Sequence, residues 1–470
     1  MQPTTLAFAD NARKAMADET LQGSLKLLEK GWPVGRARAA ADLPEFEALR
    51  DQGRDIKNHT LAHLDLYLEI FEERVKEAGG HVHWAKDAAE ARGIVLGLCH
   101  EYGARTVTKS KSMIAEEIGL NEHLEENGIE RVETDLGEYI IQLANEPPSH
   151  LVGPAIHKSM DDVRDLFQKH HGGERIEAPA ALVGEARRVL REKYFAADIG
   201  ITGANFLIAE TGSAITVTNE GNAELTQGVP ETQIVVTSIE KMVPRLFDAM
   251  TLLRLLARSA TGQDFSAYTT IMTGPRRAGD LDGPRNFHVV LLDNGRSGML
   301  GTAFQEMLRC IRCGACMNHC PVYLATGGHA YGWVYVGPMG SVLTPQFIGI
   351  DKGHPLPNAS TFCGKCQEVC PVRIPLPKLM RHWREEQHER KLTPPRARLA
   401  LAAWAFLARR PRLYHLATGI AMRVLGILGA RDGFFSRMPL AGGWTVSREL
   451  PAPQGATFMS RYRRKGGRVT

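Results

Sequence analysis

No run of roughly 18 uncharged apolar residues occurs in the 470-residue chain, so no segment reads as a membrane-spanning helix. The start, MQPTTLAFADNARKAMADET, has early acids and no apolar stretch, so a secretory leader is not expected and a cytoplasmic location is. No G-x-G-x-x-G follows an expected strand, and "GPRRAGD" does not replace one, which argues against bound NAD. Cysteine is nearly missing outside one segment: seven of the eight lie between positions 310 and 370. Disulfide frameworks spread cysteines through small secreted domains, so this clustering points to metal in a reducing compartment.

What is present is globular in character. Hydrophobic residues at 43% and charged residues at 23% allow a sizeable core, and the length suggests two or three units. The net charge of +4 hides an asymmetry: from residue 376 onward 19 Lys and Arg face five Asp and Glu, so the rest is acidic. A basic end on an acidic body suits an acidic partner, lipid headgroups or nucleic acid, the bland alternative being a solvated tail.

The first 90 or so residues read as helical. Leu61, Leu64, Leu68, Phe71 and Val75 form one apolar stripe that stops at Gly79-Gly80. "EARGIVLGLCHEYGARTVTKSKSM" reads as a helix, a strand over Arg105–Thr108 and a loop; Cys99 there reads as a small buried residue. "GITGANFLIAETGSAITVTNEGNAEL" reads as two β-rich runs, while "QIVVTSIEKMVP" and "HVVLLDNG" are short apolar runs of the buried parallel kind. With a helix expected over Lys241–Ala260, an α/β core extends to about residue 297. Helices and cysteine loops follow from Gly301 to about residue 390. Beyond Pro394-Pro395 comes a basic Ala/Leu/Arg-rich helical region, and "SRYRRKGGRVT" is expected to be disordered.

"CIRCGACMNHCP" carries a complete C-x2-C-x2-C-x3-C-P run, and "STFCGKCQEVCP" carries the same run with Ser360 in the first place. In two-cluster ferredoxins the cysteine before proline ligates the other cluster. By that rule Cys310, Cys313, Cys316 and Cys370 hold cluster one, and Cys320, Cys363 and Cys366 hold cluster two. The fourth corner of cluster two is then open, or filled by Ser360, water or a substrate atom. Three thiolates suit a [3Fe-4S] centre or a [4Fe-4S] centre with one labile iron. Zinc takes C-x2-C pairs too, but zinc ribbons lack the full run and its proline. Two clusters sharing crossed ligands point to electron relay rather than architecture.

Loops of the α/β part offer a ligand pocket. Glu210, Gly212, Asn219, Glu220 and Asn222 sit on turns at strand ends; Lys109 and Lys111 in "TKSKS" and Thr273-Gly274 can complete an anion or nucleotide site. Glu210 is the candidate catalytic carboxylate. Tight turns need such residues anyway, so a purely structural role competes. His329, between the two motifs, is either a tuner of cluster potential or an ordinary loop histidine. In the tail, Arg409, Arg410, Arg412 and Arg423 interleave with aromatic and aliphatic residues. That suits docking on a partner subunit first and a peripheral membrane contact second; no nucleic-acid motif accompanies the charge.

With these cysteines, "PVYLATGGHAYGWVYVGPMGSVLTP" and "GITGANFLIAETGSAITVTNEGNAEL", the whole chain resembles the lactate utilization protein B family. That family supplies the iron–sulfur subunit of a three-component bacterial system oxidising L-lactate to pyruvate. The resemblance implies two [4Fe-4S] clusters on the seven cysteines named, with the eighth thiol missing as a family trait. It also implies two other subunits as partners. The expected architecture is an α/β lactate-utilization (LUD) domain like those of sugar-phosphate isomerases and CoA transferases, over residues 1–297 with a helical N-terminal extension. An α-helical two-cluster ferredoxin-like module over 298–390 and a basic C-terminal region over 391–470 follow. Fold likeness does not establish catalysis, so a self-contained oxidoreductase and an iron–sulfur nucleic-acid protein are the rival functions.

Overall fold

The computed structural model describes residues 2–429, 431–438, 445 and 448–465, in two compact units, Met1–Gln387 and His388–Thr470. The first unit is built on a six-stranded, all-parallel sheet. Its strands are β1 (His81–Ala85), β2 (Thr106–Lys109), β3 (Glu130–Glu133), β4 (Ile199–Thr202), β7 (Thr232–Ser238) and β10 (Asn286–Leu292), in the order β1-β10-β7-β4-β2-β3. The central strands β4 and β7 are buried at every position. Their β-branched, apolar composition is what a sheet covered on both faces requires. Ile199, Ile201, Ile234, Val236 and Val290 pack with Val95, Leu98 and Cys99 of helix Ala88–Glu101 and with Ile114 and Ile118 of helix Met113–Ile118. Gly200 lets the helix Asn222–Gly228 press onto β4: a Cβ there would stand 1.8 Å from the Thr226 carbonyl oxygen.

A second, mixed sheet runs β8-β5-β6-β9, with β5 Phe206–Ile208, β6 Ser213–Thr218, β8 Met242–Val243 and β9 Tyr268–Met272. The two β-rich runs expected from residue 200 onward are therefore three strands, because Gly203 and Gly212 each break the chain where it changes sheet or direction. The helix expected from Lys241 starts only at Leu246, since Ile239–Lys241 is a 3-10 turn and Met242-Val243 pairs with β5. The stripe Leu61, Leu64, Leu68, Phe71 and Val75 is buried, but His63 splits it between helices Phe46–Ala62 and Leu64–Glu77.

The N-terminal helices are tied to the cysteine segment. Thr4 donates its N–H to the Gly332 carbonyl, Gln22 its amide to Ala325, Arg36 its guanidinium to Val369 and Arg50 to the Cys370 carbonyl. Beneath them lies a buried ionic core. Arg296, wholly excluded from solvent, grips Glu117 through two contacts of 2.6 and 2.9 Å, and its Nε lies 2.8 Å from Glu240. Glu240 also meets Arg312 at 3.2 Å, Glu117 accepts from the Tyr335 hydroxyl, and the Arg296 and Arg312 guanidinium groups stack on Phe347 and Tyr335 at 4.6 and 4.8 Å. Two flanking arginines hold the Glu240 carboxyl down at about 2 despite its burial.

In the second unit, helices Pro395–Ala408 and Pro411–Leu428 expose Leu399, Trp404, Leu416 and Ile427 alongside Arg409, Arg410, Arg412 and Arg423. The tail expected to be disordered contains a helix, Phe458–Arg464. Thr457 caps it by accepting the Ser460 N–H, and Phe458 stacks on Tyr462. Residues 466–470 of that tail lie outside the described residues. No helix among the described residues is long and apolar enough to cross a membrane.

Arg296→Met is expected to destabilise the first unit by about 3–5 kcal/mol, because it strands two buried carboxylates. Urea unfolding of the full chain at neutral pH, followed by far-ultraviolet circular dichroism, measures it; a loss below about 1 kcal/mol would show that the network relaxes or hydrates freely.

Candidate metal centres and an adjoining pocket

The two cysteine motifs share one backbone plan, offset by fifty residues. Arg312 and Phe362, just before the second motif position, have φ of +60° and +56°; Gly314 and Gly364, just after it, have φ of +77° and +81°. A one-turn helix follows in each case, Ala315–Asn318 and Lys365–Glu368. Left-handed backbone is costly for Arg and Phe, so its recurrence marks a loop shaped around something. It turns amides onto sulfur: Cys313 accepts from Ala315, Cys363 from Lys365, Cys366 from Gln367, and Cys370 from Ile374 at 3.3 Å.

Cys310, Cys313, Cys316 and Cys370 line one cavity, walled otherwise by apolar groups that include Leu151, Met307, Met339 and Val372. Cys320, Cys363 and Cys366 line another together with Ser360, beside His319, Pro338 and Phe362. The tertiary structure thus sorts the seven thiols into the same four and three that the crossing rule assigns. Ser360 occupies the place of Cys310, and its Oγ accepts the Phe362 N–H at 3.1 Å. Among the described residues no three cysteine sulfurs lie within 4.8 Å of one another.

Burial pushes the thiols of Cys313, Cys316, Cys320 and Cys370 up, and that of Cys366 up to about 12. Cys363 is the exception. It is exposed, and the Lys365 N–H with the Thr361 side chain holds its thiol below the usual range.

A pocket of about 260 Å³ opens at the carboxyl ends of β2 and β4, where chain passes into Ser110–Ser112 and Gly203–Asn205. Of the pocket residues expected from sequence, Lys111, Asn219, Glu220 and Asn222 line it. Burial and the neighbouring Asp135 push the Glu220 carboxyl up. The others do not line it. Lys109 is wholly buried against Glu116, Glu133 and Glu138 at 3.1, 3.0 and 3.6 Å. Glu210, the expected catalytic carboxylate, is exposed and accepts the Leu246 N–H at a helix start. Gly212 makes a tight approach to Val75, and Thr273 bonds the Ser213 hydroxyl. His329 donates to the Pro147 carbonyl at 2.8 Å and packs on His157 rather than on sulfur.

Sequence reasoning missed Lys241, Arg312 and Cys313 as pocket walls. Lys241 opens the helix expected over Lys241–Ala260, and Arg312 is one of the intervening positions of the first cysteine motif. Their shared site follows from packing that no local pattern announces.

Residues 68–292 match the LUD domain, residues 306–374 the 4Fe-4S dicluster domain, and residues 380–467 the C-terminal domain of lactate utilisation protein B. Lactate utilization protein B of Geobacillus kaustophilus is 44% identical over 98% of either chain. That of Anoxybacillus flavithermus is 42% identical over 99% of either chain. The Bacillus subtilis protein of the same name is 42% identical over 97% of this chain and 96% of its own.

In the iron-free chain near neutral pH, Cys363 should be alkylated by iodoacetamide well before the other six motif cysteines, with the sites read by peptide mass spectrometry. Labelling of Cys320 or Cys366 at the same rate would contradict the exposure and amide donation described for Cys363.

Proposed function

The chain belongs to the lactate utilization protein B family, and on that premise we propose that it carries electrons through two iron–sulfur clusters as L-lactate is oxidised to pyruvate. The observation that carries the reading is the sorting of seven thiols into two cavities. Cys310, Cys313, Cys316 and Cys370 would hold cluster one; Cys320, Cys363 and Cys366 would hold cluster two, with Ser360 at its fourth corner. Bound there, each cluster would accept and release one electron at a time.

The chain's own residues supply the setting. The conversion of a hydroxyl to a carbonyl releases two electrons and two protons, and the pair matches two one-electron centres. Leu151, Met307 and Met339 keep water from the first centre, and backbone amides directed at sulfur favour the more negative state. The exposed Cys363 edge is the approach for a partner that gives or takes electrons. The exposed apolar residues and arginines of helices Pro395–Ala408 and Pro411–Leu428 would dock on the other subunits of the system, with a peripheral membrane contact as the alternative. Substrate chemistry then resides on a partner.

Anaerobic EPR with an iron and sulfide count separates the states of cluster two. About seven irons and a strong oxidised signal mean a three-iron centre; about eight and no oxidised signal mean a non-cysteine fourth ligand. Cys320→Ser and Cys366→Ser should each abolish the second centre and spare the first. Equal loss of both centres would sink the ligand assignment. Lactate should reduce the clusters only when the partner subunits are added; reduction by lactate in the isolated chain would favour the self-contained enzyme.

A further inference from the structure

The pocket at the sheet's carboxyl edge has no part in electron carriage as described, yet its construction is that of a binding site. Carboxyl ends of parallel strands are where open α/β sheets bind ligands. Lys241 lies on its wall with only 6% of its surface exposed; its ammonium makes no hydrogen bond or ion pair with any described residue, and Glu240 and Cys310 act on it only from a distance. The neighbouring cations are engaged: Lys111 donates to the Val152 carbonyl at 2.7 Å, and Arg312 pairs with Glu240. A buried ammonium left without a partner is costly unless an anion completes it. Asn205, Asn219 and Asn222 add neutral polar groups, while Asp135 and Glu220 add acids.

That distribution selects a ligand class. One cation without a direct hydrogen-bonding partner asks for one negative group. The two acids oppose a second negative charge, which disfavours phosphate. Asn219 is engaged at both ends by Gln263 and Ala267, but the amide nitrogen of Asn205 and the amide oxygen of Asn222 suit a hydroxyl or carbonyl beside the carboxylate. Cys313, a proposed ligand of cluster one, forms part of the same wall.

We propose that this pocket binds a small hydroxy- or oxo-carboxylate, with its carboxylate on Lys241, against the wall that carries Cys313. The binding stands on the pocket alone; its redox consequence rests on the assignment of Cys313 to cluster one. An anion held there disfavours adding an electron to the adjacent centre, and by reciprocity reduction of that centre weakens the anion's binding. The ligand therefore acts as a regulator at the point where electrons enter or rest.

The test is calorimetry on the anaerobic, cluster-loaded full chain with L-lactate, pyruvate and inorganic phosphate as separate probes. A saturable heat is expected for lactate or pyruvate, weakened about tenfold or more in Lys241→Gln, which removes a charge-assisted contact. It should be unchanged in Lys193→Ala, whose partner is Glu130 on the surface. The bound carboxylate should also lower the midpoint potential of the first centre, followed by EPR, in the wild type and not in Lys241→Gln. Matching iron content and circular dichroism show that the variant is folded; if it is not, Asn222→Ala takes its place with the same expected weakening. No carboxylate binding, equal binding by the variant, or a preference for phosphate each overturns the proposal. Clusters that load and pass electrons while the pocket stays silent would leave the carrier reading intact; a pocket that binds in a chain unable to relay would do the reverse.

Discussion

A buried line of alternating charge, Arg296–Glu117 and Arg296–Glu240–Arg312, is the constraint on which the rest of the first unit depends. Glu117 and Glu240 come from the parallel-sheet region, and Arg312 sits inside the first cysteine motif. Such a network is weak evidence for stability, because desolvating four charged groups offsets most of their attraction. Its value is positional. Only one docking of the cysteine segment lets each guanidinium meet its carboxylates and also stack on Phe347 and Tyr335. A shift of register would leave a charge buried alone.

That docking decides the chemistry. It holds Arg312 with positive φ, which shapes the loop around Cys313, and it brings Cys313 to the edge of the sheet pocket. The N-terminal helices reinforce the arrangement from the other side through Arg36 and Arg50, whose guanidinium groups bond carbonyls of Val369 and Cys370. The cysteine cavity and the sheet pocket are therefore one continuous construction. The pocket belongs to the sheet and the thiols to the segment after it, but Cys313 lies on both walls.

The second motif is built on the same loop with one donor exchanged. Phe362 and Gly364 repeat the backbone of Arg312 and Gly314, and Ser360 stands where Cys310 stands in the first. The loop keeps its shape without the thiol because the serine hydroxyl accepts the Phe362 amide, a local bond that needs no metal. Exposure differs as well: Cys363 faces solvent, whereas Cys313 is buried beneath the sheet domain. Cys313 thus borders the sheet pocket, while Cys363 lies at the surface.

Much was legible in the chain itself. Cysteine spacing named all seven thiols and their division into four and three, because C-x2-C-x2-C-x3-C-P is a local geometry that the backbone repeats wherever it occurs. The buried strands β7 and β10 were plain as continuous apolar runs, and Lys111, Asn219, Glu220 and Asn222 were correctly placed at a pocket. The misreadings have one cause. Lys109 lies two residues from Lys111, and Glu210 ten from Glu220, yet one of each pair points away: Lys109 ends β2 among buried acids while Lys111 belongs to the loop beyond it, and the path of the chain decides that, not residue type. Lys241 and Arg312 are far apart in the chain and meet only because the cysteine segment folds back over the sheet. Local spacing determined which thiols gather into each cavity, since a motif carries its own geometry. Tertiary packing alone decided what stands beside those thiols, since a buried lysine and a distant cysteine become neighbours only when the whole core closes.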